Sequence, residues 1–273
     1  MSTISVIVIT YNEERNIERC LRSVHWADEI IVVDSFSTDT TVEIANRFTK
    51  NVIQHRYEGD ILQRERGFAM AKGDWLLWID ADEEVTDDLQ QEIQTVLRSP
   101  DAKDGYFITR KVFVFDKWIE HGGWFPDWQF RLARRTKQIP QYQEVHGGFT
   151  THGPKGNLKG YLHHYTYADI SEYLRKMNDH TSLHVSNKLK ENPISSIGWQ
   201  KIVMSPLVYF FKMYIIKKGY RDGMHGFLVA VYSALYTLLL YAKTWEYQWR
   251  LREGKGLLPP ITNTEIHQLK QLS

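Results

Sequence analysis

Asp80, Asp82, Glu83 and Glu84 follow directly on the apolar run Trp75–Ile79, in the stretch WLLWIDADEE. Carboxylates crowded at the end of one short strand repel one another, so something must offset that cost. A divalent cation carrying a phosphorylated ligand is an economical answer, because hard cations take carboxylate and phosphate oxygens together. A solvated helix N-terminus also favours acids, through the macrodipole. Both readings of the Asp-x-Asp pair stand at this point, since so short a motif also arises by chance.

The elements around it narrow the choice. ISVIVIT (Ile4–Thr10) is a β-branched run ending in the polar YNEE, and NIERCLRSV follows with Ile17, Leu21 and Val24 at helical spacing. EIIVVDS is a second strand, again closing on an acid, Asp34, and STDTTVEIANRF supplies capping hydroxyls before a short helix. NVIQHR reads as a short third strand, ILQRERGFAMAKG as a helix stopping at Gly73, and DWLLWID as the fourth strand. Such alternation predicts an α/β fold with a doubly wound, mainly parallel sheet. Sheets of that kind bind ligands beyond the carboxyl ends of their strands. Thr10–Glu13, Asp34 and Asp80–Asp82 are each expected at such an end, so three polar clusters converge on one rim. Neither GxGxxG nor GxxxxGK[ST] occurs in these loops, so no Rossmann dinucleotide site or P-loop is indicated.

Beyond Gly105 the pattern changes to longer strands, then to two histidine-bearing stretches, QEVHGGFTTHG and LKGYLHHYTY, and from Ile170 to helices. The expected division is a catalytic domain over 1–169 and a helical region over 170–273. In that second region two apolar runs, Ile202–Ile216 and Phe227–Ala242, each fall short of a comfortable bilayer span. Lys201, Lys212, Lys217, Lys218, Arg221, Lys243, Arg250 and Arg252 surround them, with Trp199, Trp245 and Trp249. That composition suits an interfacial helical hairpin on anionic lipid; a helix pair packed on the catalytic domain or on a second protomer is the competing reading. A formal net charge of +1 argues against a general nucleic-acid binder. The single cysteine, Cys20, excludes an intrachain disulfide framework, and the N-terminus lacks signal-peptide regions; both point to the cytoplasm.

Taken in order, SVIVITYNEERNIERCLRSV, EIIVVDSFSTDTTVEIA, AKGDWLLWIDADEEV and WFPDWQFRLARR resemble the family 2 glycosyltransferases, which are inverting enzymes of GT-A fold. The segment GYRDGMHGFLVAVYSALYTLLLYAKTWE is similar to the branch containing lipopolysaccharide-core β-1,4-glucosyltransferases. The resemblance implies a nucleotide-sugar donor, UDP-glucose in that branch, a divalent metal (Mg²⁺ or Mn²⁺) and a lipid-linked saccharide acceptor at the membrane surface. Thr10, Asn12 and Glu13 would line the nucleotide pocket, Asp34 would contact the base, and Arg66 would face the donor. Asp80 would touch ribose or metal and Asp82 would hold the metal. Asp127, at the family's acidic position in WFPDWQF, would be the catalytic base, with Trp124 and Trp128 stacking on sugar rings; a Pro-Asp turn flanked by core tryptophans also fits. His146 would be an acceptor contact, a metal ligand or a half-buried structural histidine, and Gly147 stands where many relatives have Glu. Glu144 is the acid nearest to replace it. Either His163 or His164 would reach the diphosphate, and the doublet offers no way to choose. Arg131, Arg134 and Arg135 form either an anion-binding set for the acceptor or a solvated strand edge. An oligomer is compatible with all of this.

Overall fold

The computed structural model describes residues 2–141, 148–191 and 197–255. The N-terminal part alternates as expected: β1 (Ile4–Thr10), α1 (Ile17–Ser23), β2 (Glu29–Asp34), α2 (Thr41–Ala45), β3 (Val52–Gln54), α3 (Asp60–Met70) and β4 (Trp75–Asp80). Then follow β5 (Glu83–Val85), α4 (Asp87–Arg98), β6 (Gly105–Val114), β7 (Lys117–Trp118), β8 (Asp127–Arg134), β9 (Ile139–Gln141), β10 (Gly148–Thr150) and β11 (Lys155–Tyr167). The main sheet runs β3-β2-β1-β4-β8-β6-β11-β5, with β7 beside β6. Pairing is parallel from β3 to β4. β8 runs antiparallel to both β4 and β6, and β11 runs antiparallel to β5, so the sheet is mixed.

Both faces of the parallel part are apolar because side chains alternate along each strand. Ile4, Val6 and Val8 of β1 and Trp75, Leu77 and Ile79 of β4 join Ile17, Leu21 and Ile93 in one core cluster. Ile7, Leu76 and Trp78 point the other way, to Ile61 and Phe68 of α3. Gly67 allows that helix to lie close on β1: a Cβ there would stand 2.4 Å from Ile7 Cγ2. The helix is thereby fixed over the strand ends that matter for the site.

The described residues fall into two compact units. Residues 1–111 and 126–166 form the first; 112–125 and 167–273 form the second. The second contains α5 (Ile170–Glu191), α6 (Trp199–Phe211), a π-helical turn (Lys212–Ile216), a 3-10 turn (Gly219–Asp222) and α7 (Gly223–Arg252). Its core gathers Val112, Val114, Ile119, Tyr173, Met177 and Val229. The Tyr173 ring lies between those of Tyr167 and Tyr232, at 4.1 and 4.7 Å. Asp222, nearly buried, accepts the backbone N–H of His121 at 2.8 Å and meets its Nδ1 at 2.9 Å. α7 continues well past the apolar run seen in the sequence, and Gly219–Arg252 is long and apolar enough, by length and composition, to cross a membrane.

Candidate active site

Register places the site. Across the parallel strands Thr10 stands opposite Asp34 and Ile9 opposite Asp80, so three strand ends meet one rim of the first unit. The loop after β1 is latched to the loop after β2. Asn12 takes a left-handed backbone (φ 50°), which Asn tolerates better than most residues. Its N–H donates to Ser37 Oγ at 2.8 Å, and its Oδ1 accepts the Thr38 N–H at 2.8 Å. The Glu13 N–H donates to Thr41 Oγ1 at 2.8 Å, and its carboxylate accepts from Asn16 Nδ2 at 2.7 Å. Asp34 is fully buried and accepts the Ser37 N–H at 2.9 Å, the Ser37 hydroxyl, and Gln54 Nε2 at 3.0 Å. These contacts shape the loop; among the described residues the buried Thr10 hydroxyl on the same rim has no hydrogen-bond partner.

The acidic stretch is not the start of a helix. α4 begins at Asp87 under its own cap, Thr86, whose Oγ1 accepts the Leu89 N–H at 3.4 Å. Asp80 closes β4 and Glu83 opens β5. Much of their repulsion is offset by the protein's own cations. Arg64 Nη2 reaches Asp80 Oδ1 at 2.5 Å, and Arg131 Nη2 reaches Asp80 Oδ2 at 2.9 Å. The same Arg131 nitrogen meets Glu83 Oε1 at 2.9 Å, and Arg110 Nη1 meets it at 3.1 Å. Arg110 then grips Asp127: Nε and Nη2 both lie 2.7 Å from its Oδ2. Gln129 Nε2 donates to Asp127 Oδ1 at 2.7 Å. Three carboxylates and three guanidiniums thus form one continuous chain. Burial works to raise the Asp80 pKa, but Arg131 and Arg64 outweigh it and hold the carboxyl well below the usual range. Burial likewise disfavours the Arg131 charge, and Asp80 and Glu83 more than restore it.

Asp82 stands outside this arginine chain. Its Oδ2 lies 3.3 Å from His164 Nε2, both side chains being nearly buried. Burial lowers the His164 pKa, and the Asp82 carboxylate beside it reverses the shift, so the net direction is upward. Among the described residues the buried His164 Nδ1 has no hydrogen-bond partner. Alternation along β11 separates the doublet: His163 lies across from Glu84, with Nδ1 at 3.7 Å from its carboxylate, and burial lowers its pKa. Tyr165 Oη donates to Glu84 at 2.8 Å, while the Arg19 guanidinium lies 3.5 Å from the Tyr165 ring centroid.

Among the described residues no group of three or more His, Cys, Asp or Glu side chains is arranged to hold a metal alone. A two-ligand set, completed by substrate phosphate and water, is the ordinary arrangement for Mg²⁺ or Mn²⁺. Asp82 and His164 fit that requirement, as an adjacent oxygen and nitrogen donor pair suited to Mn²⁺ as well. Both oxygens of Asp80 already face guanidiniums, which leaves it poorly placed as the main ligand.

Other expected residues distribute unevenly. Arg66 pairs with Glu58 and donates to Gln63 Oε1 at 2.9 Å, while Arg64, two residues earlier, is the arginine at the Asp-x-Asp motif. Arg131 faces Asp80 and Glu83 and is not a free anion-binding group. Nor do the three arginines of RLARR act together: antiparallel pairing carries Arg134 to the other end of β4, opposite Trp75, where it meets Asp104 at 3.6 Å. Arg135 Nε donates to the Gly73 carbonyl at 2.8 Å. Trp128 is exposed beside Asp127, whereas Trp124 belongs to the second unit and packs on its apolar cluster. His146, Glu144 and Gly147 lie outside the described residues. Arg64 and Arg110 were not singled out by sequence, and Glu83 stood there only as one of four clustered acids. The one available signal was Glu83 and Glu84 directly after Asp82, and the partners come from strands distant in the chain.

Over 255 residues the chain is 27% identical to the lipopolysaccharide core biosynthesis glycosyltransferase LpsC of Rhizobium meliloti, covering 89% of this chain and 92% of the relative. It is 28% identical to an uncharacterized glycosyltransferase of Rickettsia typhi, covering 92% of this chain and 90% of that one. The crystal structure of S. aureus TarS 1-349 in complex with UDP-GlcNAc overlays with a TM-score of 0.45 at 15% identity, over 93% of this chain and 92% of the other. Residues 5–165, which carry every rim residue described above, match the model of Glycosyl transferase family 2, and the chain belongs to that family.

Proposed function

We propose that the protein is an inverting hexosyltransferase that moves glucose from UDP-glucose to a lipid-anchored saccharide, a lipopolysaccharide inner core, at the cytoplasmic face of the membrane. The observation that supports this most is that one charge network, through Arg131, Glu83 and Arg110, joins Asp80 of the Asp-x-Asp pair to Asp127, while Asp82, two residues after Asp80, pairs with His164. The relation to LpsC supports the choice of acceptor.

In this reading Asp82 and His164 would hold the divalent cation, which would supply positive charge beside the departing diphosphate. The loops carrying Asn12, Glu13 and Asp34 receive the nucleotide, and the unpaired Thr10 hydroxyl offers it a hydrogen bond. Asp127 takes the proton of the acceptor hydroxyl as that oxygen bonds to the anomeric carbon and the bond to the diphosphate breaks. Nothing is covalently attached to the protein, so a single displacement inverts the anomeric centre. Arg110 keeps Asp127 aimed, and Trp128 offers an exposed ring to a sugar face.

The test is nucleotide release from UDP-, GDP- and dTDP-sugars with Mn²⁺ or Mg²⁺, with and without truncated lipopolysaccharide, followed by NMR assignment of the new linkage. Expected are acceptor-stimulated UDP release from UDP-glucose and a β-linkage. Release from another donor, or retention of configuration, would refute the corresponding part of the proposal.

A further inference from the structure

We propose that the exposed surface of α6 and the turns after it is a lipid-docking face that lies in the plane of an anionic membrane. Of 19 exposed large apolar side chains among the described residues, 12 fall between Trp199 and Phe227. They form a helical stripe. Val203, Leu207, Phe211 and Ile215 recur every fourth residue, with Met204 and Val208 beside them. Only Pro206 of α6 and Met213 of the π-helical turn are buried. Trp199, 70% exposed, and Tyr220 stand near the two ends, as interfacial aromatics do. A patch of this kind on a water-soluble surface marks an interaction site.

Charge identifies the partner. Between Trp199 and Arg221 the chain carries Lys201, Lys212, Lys217, Lys218 and Arg221 and no Asp or Glu, and all five cations are exposed. An apolar stripe rimmed by cations alone matches acyl chains beneath anionic headgroups. A second copy is a poor occupant, since a two-fold contact would bring the same cations against one another.

One side of α7 packs within the helical unit, where Val229, Ala230, Thr244 and Gln248 are buried. Its Tyr232 lies on Tyr173 of α5, and Lys243 Nζ donates to the Asn178 carbonyl and to the hydroxyls of Thr181 and Ser182, at 2.7–2.8 Å. Lys243 is therefore a clamp within the helical unit and not a membrane flank, and Arg250 pairs within its own helix with Glu246 at 3.4 Å. The lipid-seeking surface is α6, lying flat, and not α7 spanning.

The experiment is co-flotation of the full chain with vesicles of phosphatidylcholine alone or mixed with phosphatidylglycerol. Expected is binding to the mixed vesicles that weakens with salt. Leu207→Asp with Phe211→Asp should abolish it. Lys217→Gln with Lys218→Gln should lower partitioning about 25-fold, at roughly fivefold per cation. Neither pair should alter the thermal melt or metal-dependent donor hydrolysis in solution, so a failure here is distinct from a failure of the catalytic reading. The proposal is overturned by equal binding of wild type and the Asp pair, by no flotation with either vesicle, or by a lipid-free dimer that the Asp pair dissociates. Detergent-only extraction that persists in the Asp pair would assign the membrane to α7 and overturn it as well.

Discussion

Replacing Arg131 with Met is the sharpest test of the acid–arginine chain. The guanidinium is almost wholly buried and its Nη2 serves Asp80 and Glu83 at once, each at 2.9 Å. Met keeps much of the side-chain volume, so the loss is chiefly electrostatic. Glu83, with no exposed side-chain surface, would retain only Arg110 at 3.1 Å, and Asp80 only Arg64. Removing one partner of a buried pair costs about 3–5 kcal/mol. For a chain of this size each kcal/mol lowers Tm by about 2–4 °C, so a fall on the order of 6–20 °C is expected. The loss should depend on pH. Asp80 has a depressed folded pKa, so its pairing contributes fully above the unfolded carboxylate value near ~3.9 and fades as pH falls toward the folded value. In the variant Asp80 loses one of the two guanidiniums that depress its pKa and takes up its proton at higher pH, which relieves the unpaired charge. Calorimetric melts should therefore show the gap between wild type and variant greatest at neutral pH and shrinking below about pH 5. Adding Glu83→Gln to Arg131→Met should recover part of the loss. A gap that stays constant with pH, or a cost under about 1 kcal/mol, would refute the assignment of this arginine as a charge partner.

Asp127→Asn should lower kcat/KM for the acceptor by about 10²–10⁴ while leaving UDP affinity, read by calorimetry, unchanged; an equal loss of UDP binding would instead mark Asp127 as structural. His164→Ala and Asp82→Asn should each weaken Mn²⁺ binding, measured by paramagnetic water relaxation, by at least about tenfold. A metal needs the neutral imidazole, and Asp82 raises the His164 pKa, so wild-type Mn²⁺ affinity should climb as pH rises through that raised value. The ion pair itself stabilises the metal-free fold below the ordinary histidine pKa and loses that contribution as pH rises through the folded value, so apo stability and metal affinity should move oppositely. Gly67→Ala would set a Cβ 2.4 Å from Ile7 Cγ2, and thermal melts should show overpacking of about 1–3 kcal/mol.

The alternation of strand and helix through β4 is written locally, in β-branched runs and helical spacing, and so is the convergence of Thr10, Asp34 and Asp80 on one rim. Periodicity reports which face a residue occupies within its own element, and that suffices for a sheet whose strands pair in register. It does not report who stands opposite. Arg131 meets Asp80 across 51 residues of chain and Arg110 meets Glu83 across 27, and β8 reaches β4 only by inserting antiparallel beside it. Sequence therefore left the acids seeking a metal, whereas the folded chain pairs Asp80 and Glu83 with arginines and leaves Asp82 to His164. The choice between His163 and His164 likewise needed the pairing of β11 with β5. In the same way, the basic and apolar composition of residues 199–252 was plain from the chain, but only the folded chain shows that the α6 stripe is exposed and that Lys243 of α7 bonds to α5. Residue type and spacing determined the elements and their chemistry; only long-range packing determined which charges neutralise one another, because that depends on distances no local pattern encodes.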